Sequence, residues 1–142
     1  MPDGPYLDAN VLLRLLLNDV PDQAESVAAL LRESGTSTTR PRLSAVTLAE
    51  IVFVLGGAVY RNERGQIAAA IDVILGLPVV VEDREIVEQA LTTYRDVHPG
   101  WEDAFLAACA LTRSDGRVVT FDHQLARVPG VKATDPTGRL TP

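Results

Sequence analysis

The chain is poor in the residues that build metal clusters, disulfides and basic surfaces. Cys109 is its only cysteine, so no internal disulfide can form, and no Cys-x-x-Cys pair exists to make a thiolate zinc site. Only His98 and His123 supply imidazole. Lys132 is the single lysine among 13 basic residues, the other 12 being arginine. Long apolar runs are missing too: Arg14, Glu50 and Asp72 interrupt the most hydrophobic stretches, leaving no segment of about 20 apolar residues to span a bilayer. Residues Met1 to Pro5 have neither the basic nor the apolar character of a signal peptide. These absences lead us to expect a soluble, cytoplasmic protein that makes no membrane contact.

What is present describes a folded domain. Hydrophobic residues make up 46% of 142 positions and charged residues 23%, a globular composition. A chain of this length buries roughly 68–70% of its unfolded surface and needs no covalent staple. We expect one domain over residues 1–142, with the Pro/Gly/Thr-rich segment 134–142 as a loosely ordered tail. The net charge of −6 argues against a simple nucleic-acid-binding module, which is usually basic.

Apolar periodicity alternates between short strands and helices. Pro5–Leu7 reads as a strand, Val11–Leu17 as a helix, and Pro21 to about Glu33 as a second helix ended by Gly35. A strand is expected at Arg42–Ala45, then helices over Thr47–Tyr60 and Glu63–Leu75. Pro78–Val81 is a β-branched run suited to a buried parallel strand. Helices follow at Asp83–Val97 and Trp101–Arg113, with strands at Val118–Phe121 and near Val131–Ala133. This order implies an α/β fold with a parallel sheet.

In such sheets the ligand crevice lies at the carboxyl ends of the strands. Asp8 and Asp122 each follow a strand, while Glu50 and Asp103 lie near helix starts on that side. Asp103 shares a helical stripe with Leu106, Ala107 and Ala110, so its carboxylate is expected to lose hydration. Converging carboxylates favour a hard divalent cation with oxygen ligands, Mg²⁺ or Mn²⁺. Acids without a nucleophile–base pair point to metal-assisted hydrolysis. Each residue also suits a plainer role. Asp8 or Asn10 can cap the helix at Val11, and Thr47-x-x-Glu50 matches a capping box. Asp103 and Glu102 fit the first-turn preference of acids, and Asp122 can cap the turn that follows it. His98 and His123 suit solvated or helix-end positions, and Trp101 suits packing at a helix entry.

Phosphotransfer enzymes built on a strand-end Asp need a second acid nearby, and this chain has Asn10 there. Four other segments are more specific. Tyr6-Leu7-Asp8-Ala9-Asn10-Val11-Leu12-Leu13-Arg14, Thr47-Leu48-Ala49-Glu50-Ile51-Val52-Phe53-Val54-Leu55, Trp101-Glu102-Asp103-Ala104-Phe105-Leu106-Ala107-Ala108 and Val119-Thr120-Phe121-Asp122 with Leu125-Ala126-Arg127 occur in this order. Together they resemble the motifs of PIN-domain proteins, particularly the VapC-type toxins. The resemblance implies a three-layer α/β/α fold with a five-stranded parallel sheet. It also implies Asp8, Glu50, Asp103 and Asp122 as a metal-binding catalytic quartet, supported by Asn10 and Thr120. The implied activity is Mg²⁺-dependent RNA cleavage, with an antitoxin protein and a second copy of the chain as partners. A PIN nuclease of RNA processing and an inactive PIN-like module are the alternative readings. One departure is Glu102, an acid beside the third Asp. If the quartet holds metal, Arg40, Arg42, Arg61, Arg64, Arg113, Arg117 and Arg127 are left to line a groove. Phe53, Val54, Ile67 and Ile71 are the candidates for an antitoxin or dimer face.

Overall fold

The structure, a computed structural model, describes residues 3–97 and 99–140. His98 therefore lies outside the described residues. The fold is mixed α/β, and the chain forms two compact units, one ending at Glu82 and the other starting at Asp83.

In the first unit, α1 (Ala9–Leu17) starts at Asp8, whose side chain accepts the Ala9 N–H, and stops at Asn18 in a left-handed conformation (φ 49°). Pro21 opens α2 (Pro21–Ser34), where a missing N–H costs nothing. β1 (Arg42–Leu43) leads into α3 (Ala45–Leu55), then α4 (Arg64–Leu75) and β2 (Val80–Val81) follow. β1 and β2 pair in parallel, Arg42 opposite Val80 and Leu43 opposite Val81. Tyr6 makes a single parallel bridge to Arg42, so three chain segments run side by side. Gly4 permits this approach: a Cβ there would stand 2.0 Å from the Arg40 carbonyl oxygen. Leu12, Leu43, Leu48, Ile51, Ile71 and Ile74 are fully buried in this unit.

The second unit packs α5 (Arg84–Asp96) against α6 (Trp101–Arg113), followed by β3 (Arg117–Val119), a 3-10 turn at Leu125–Arg127 and β4 (Lys132–Thr134). Tyr94 and Trp101 meet edge to face at 5.7 Å, and Trp101 is buried, so it packs at the helix entry. Ala104, Ala107 and Ala108 have no exposed surface; such small side chains let neighbouring elements come close. β3 and β4 are parallel, with Val118 opposite Ala133 facing a core of Ala107, Ala110, Leu125 and Val128. Gly116 (φ 77°) makes the turn into β3, where a Cβ would stand 2.1 Å from the Gly130 carbonyl oxygen. Beyond β4, Asp135 accepts the Thr137 and Arg139 N–H groups at 2.8 and 3.1 Å, and Thr134 bridges Leu140 antiparallel.

The resemblance implied a five-stranded sheet; hydrogen bonding among the described residues instead gives four short strands in two parallel pairs. The strands are short for local reasons. Pro5 has no N–H to extend the Tyr6 bridge, and the Val79 N–H turns back to Leu77 O at 2.8 Å before β2 begins. Among the described residues no helix is long and apolar enough to cross a membrane.

Candidate active site

The acidic quartet divides two and two between the units. Asp103 and Asp122 belong to the second. Asp103 lies in the first turn of α6, half-buried, with Ala104, Ala107 and Ala110 buried along the same helix. Leu106, expected on its apolar stripe, is instead 45% exposed, so the small alanines alone form the dry side. Burial pushes the Asp103 carboxyl above the usual aspartate range, and the charges of Asp122 and then Glu102 push it the same way. Among the described residues the Asp103 carboxylate has no hydrogen-bond or ion-pair partner.

Asp122 is exposed, just past β3. Its N–H donates to Thr120 Oγ1 at 2.9 Å, and its Oδ1 accepts the Gln124 N–H at 2.8 Å. Thr120 is itself anchored by its N–H to Thr134 O at 2.8 Å. The capping role open to Asp122 in the sequence is therefore present, and it fixes the carboxylate whose charge acts on Asp103. Glu102 is exposed, whereas Asp103 is the drier of the adjacent acids.

Asp8 and Glu50 belong to the first unit, and both are exposed. Asp8 Oδ1 accepts the Ala9 N–H at 2.7 Å, which makes it the cap of α1, and Asn10 follows in the first turn. Glu50 has no capping role. The helix begins at Ala45, two residues earlier than expected, because Ser44 caps it by accepting the Thr47 N–H at 3.2 Å. Thr47 and Glu50 are thus interior helix positions, and the capping box of this unit is Glu63 with Gln66 at α4. Glu50 sits on the outer face of α3 between Val46 and Phe53, which are 80% and 76% exposed.

Several expected positions change. Ile67 and Ile71 are buried, so only Phe53 and half-buried Val54 remain outside the core from that group. Arg42 is not available to a groove: its guanidinium pairs with Glu82 at 3.2 Å and Asp3 at 3.5 Å and lies 6.0 Å from the Tyr6 ring centre. Glu82 is an acid at a strand end that the sequence did not single out. It is already compensated by Arg42 and by the Tyr6 hydroxyl at 2.7 Å. That contrast separates it from Asp103. The Cys109 thiol is pushed up by burial, which keeps it unreactive.

Among the described residues no three His, Cys, Asp or Glu side chains stand close enough together to hold a metal ion. The donor chemistry nevertheless fits one. Asp103 and Asp122 offer only oxygen, repel each other and leave Asp103 without a compensating cation, which is the requirement a hard divalent ion meets. No curated protein matches the chain. The family comparison is positive: the PIN domain matches residues 6–131, nearly the whole sequence. PIN domains are nuclease folds that act on nucleic acids and generally use divalent metals. The chain, whose residues 6–131 match that domain and whose fold is mixed α/β, therefore belongs to the PIN domain family.

Proposed function

We propose that this protein is a Mg²⁺-dependent endoribonuclease of the cytoplasm, the VapC-type toxin of a toxin–antitoxin pair, acting as one domain over residues 1–142. The observation that carries the reading is Asp103: half-buried, pushed toward its neutral form by burial and then by Asp122, and lacking any described cation.

Asp103 and Asp8 would be the principal holders of Mg²⁺ (or Mn²⁺), with Asp122 and Glu50 completing the set. The ion, when bound, supplies positive charge to the phosphodiester and makes water acidic enough to attack at neutral pH. The chain's own groups do the positioning. Thr120 Oγ1 holds the backbone of Asp122, and Asp122 Oδ1 is held in turn by the Gln124 N–H. Asp8 Oδ1 is fixed by the start of α1, and Asn10 stands one residue into the same helix to support it. Glu50 is exposed and offers a carboxylate oxygen that can take a proton from an attacking water.

The net charge of −6 means that RNA is held by local arginines rather than by the whole surface. Phe53 and Val46 on the outer face of α3 are the apolar contacts offered to an antitoxin segment or a second copy. The test is expression in a bacterial host. The wild-type chain should arrest growth with cut RNA, co-purify with the product of an adjacent short gene, and be relieved by it. Growth unaffected by well-folded protein would contradict the toxin role.

A further inference from the structure

Phe121 is 77% exposed, although folding ordinarily withdraws such a side chain from water. Loose backbone is not the reason. The Thr120 N–H is bonded to Thr134 O, the Asp122 N–H to Thr120 Oγ1, and the Gln124 N–H to Asp122 Oδ1, all at 2.8–2.9 Å. The backbone on both sides of the exposed ring is fixed, one residue from the acid whose charge acts on Asp103.

The rest of that surface has a direction. Val118 and Ala133 point into the core, so alternation puts Arg117 and Val119 on the opposite face, with Lys132 and Thr134 opposite them, and the exposed Phe121 follows two residues past the end of β3. Arg117 and Lys132 are exposed, and Val119 is 68% exposed. Lys132 is paired with Asp115 at 2.8 Å and the Arg117 Nε donates to Ser114 O at 3.0 Å, so the open face offers the remaining N–H groups of the Arg117 guanidinium, then an apolar side chain, then an aromatic ring next to Asp122. Asp122, His123 and Gln124 around the ring are exposed and polar. The apolar surface here amounts to Val119 and one ring, short of the several hundred Å² that marks a protein-docking patch. A nucleobase needs only one ring face, and its backbone phosphate needs the guanidinium.

We infer that Phe121 is the platform on which an unpaired base of the RNA substrate stacks, fixing the adjoining phosphate at Asp103 and Asp122. This rests on the reading of those two acids as part of the cleavage centre. A base inside a duplex already has both faces stacked, so the platform selects unpaired nucleotides.

The test uses the full chain as wild type, Phe121→Ala, Phe121→Leu, Phe121→Trp and Asp103→Asn. The probes are a mixed-sequence single-stranded oligoribonucleotide carrying 2-aminopurine and its annealed duplex. Stacking on an aromatic side chain makes Phe121→Ala and Phe121→Leu bind the single strand in chelator about ten- to a hundred-fold more weakly. Wild type and Phe121→Trp should quench the 2-aminopurine, and kcat/KM with Mg²⁺ should follow the same order. Duplex binding should be weak and equal in wild type and the three Phe121 variants. Phe121→Ala binding, quenching and cutting like wild type while Asp103→Asn is inactive would overturn the platform and leave the cleavage centre standing. Full activity of Asp103→Asn would overturn both. A Phe121→Ala chain that changes its oligomeric mass but quenches normally would identify a protein contact and also overturn the platform.

Discussion

Replacing Asp103 by Asn keeps the size of the side chain and removes its charge. In the fold this carboxyl is pushed above its unfolded value by burial, Asp122 and Glu102. Folding therefore favours its protonated form relative to the unfolded chain: the stabilising contribution is present at low pH and is lost as pH rises through the folded value. At neutral pH, without metal, the ionised group is a cost. The residue is half-buried, so solvent screens part of that cost and we place it at no more than about 1 kcal/mol. In chelator at pH 7.5 the Asp103→Asn protein should thus melt at or above wild type, by up to about 2–4 °C. Mg²⁺ reverses the order. At a hundred-fold excess over its Kd, an ion that binds only the native state adds about 2.7 kcal/mol. At roughly 2–4 °C per kcal/mol this raises the wild-type Tm by about 5–11 °C. Asp103→Asn should keep only a small part of that gain, and acidification should remove it from wild type as Asp103 takes up its proton. Differential scanning calorimetry across an Mg²⁺ titration reads all of these. An Asp103→Asn protein that is less stable than wild type in chelator, or equally stabilised by Mg²⁺, would refute the argument.

Other residues separate structural from chemical roles. Asp8→Asn should keep the α1 cap and the Tm but lose cleavage, whereas Asp8→Ala should lose cleavage and about 1 kcal/mol of stability in urea melts. Ser44→Ala should cost a similar amount by removing the α3 cap, with kcat unchanged, because Glu50 is independent of that cap. Thr120→Val leaves the Asp122 N–H without its acceptor; a several-fold fall in kcat with a loss of about 1 kcal/mol is expected in paired kinetic and melting assays. Ile71→Ala empties a fully buried site and should cost about 2–5 kcal/mol by denaturant titration.

The helices were legible because their apolar positions repeat with the helical period. Leu48, Ile51, Val52 and Leu55 of α3 are all buried as that period requires. The α3 start was misplaced because two hydroxyl residues, Ser44 and Thr47, both suit a cap; only backbone geometry shows that Ser44 takes it. The apolar excess of α3 and α4 did not identify which side faces out. Phe53 lies opposite the α3 stripe and is exposed, while Ile67 and Ile71 complete the α4 core. Strand lengths were overestimated, since β-branched runs such as Pro78–Val81 report burial and not hydrogen bonding. The acids at strand ends were legible, but their state was not. Glu82 is compensated by Tyr6 and Arg42, 76 and 40 residues away in sequence, and no local pattern reveals that. Phe121 escaped notice because its meaning lies in exposure, which a strand-like Val-Val-Thr-Phe run conceals.

The account stands most directly on RNA cleavage by the purified chain, with Mg²⁺ or with chelator, set beside Asp8→Asn, Glu50→Gln, Asp103→Asn and Asp122→Asn. It predicts cutting by wild type with Mg²⁺ alone, and losses of orders of magnitude in Asp8→Asn and Asp103→Asn. Cutting that persists in chelator, or an Asp103→Asn protein as active as wild type, would contradict it.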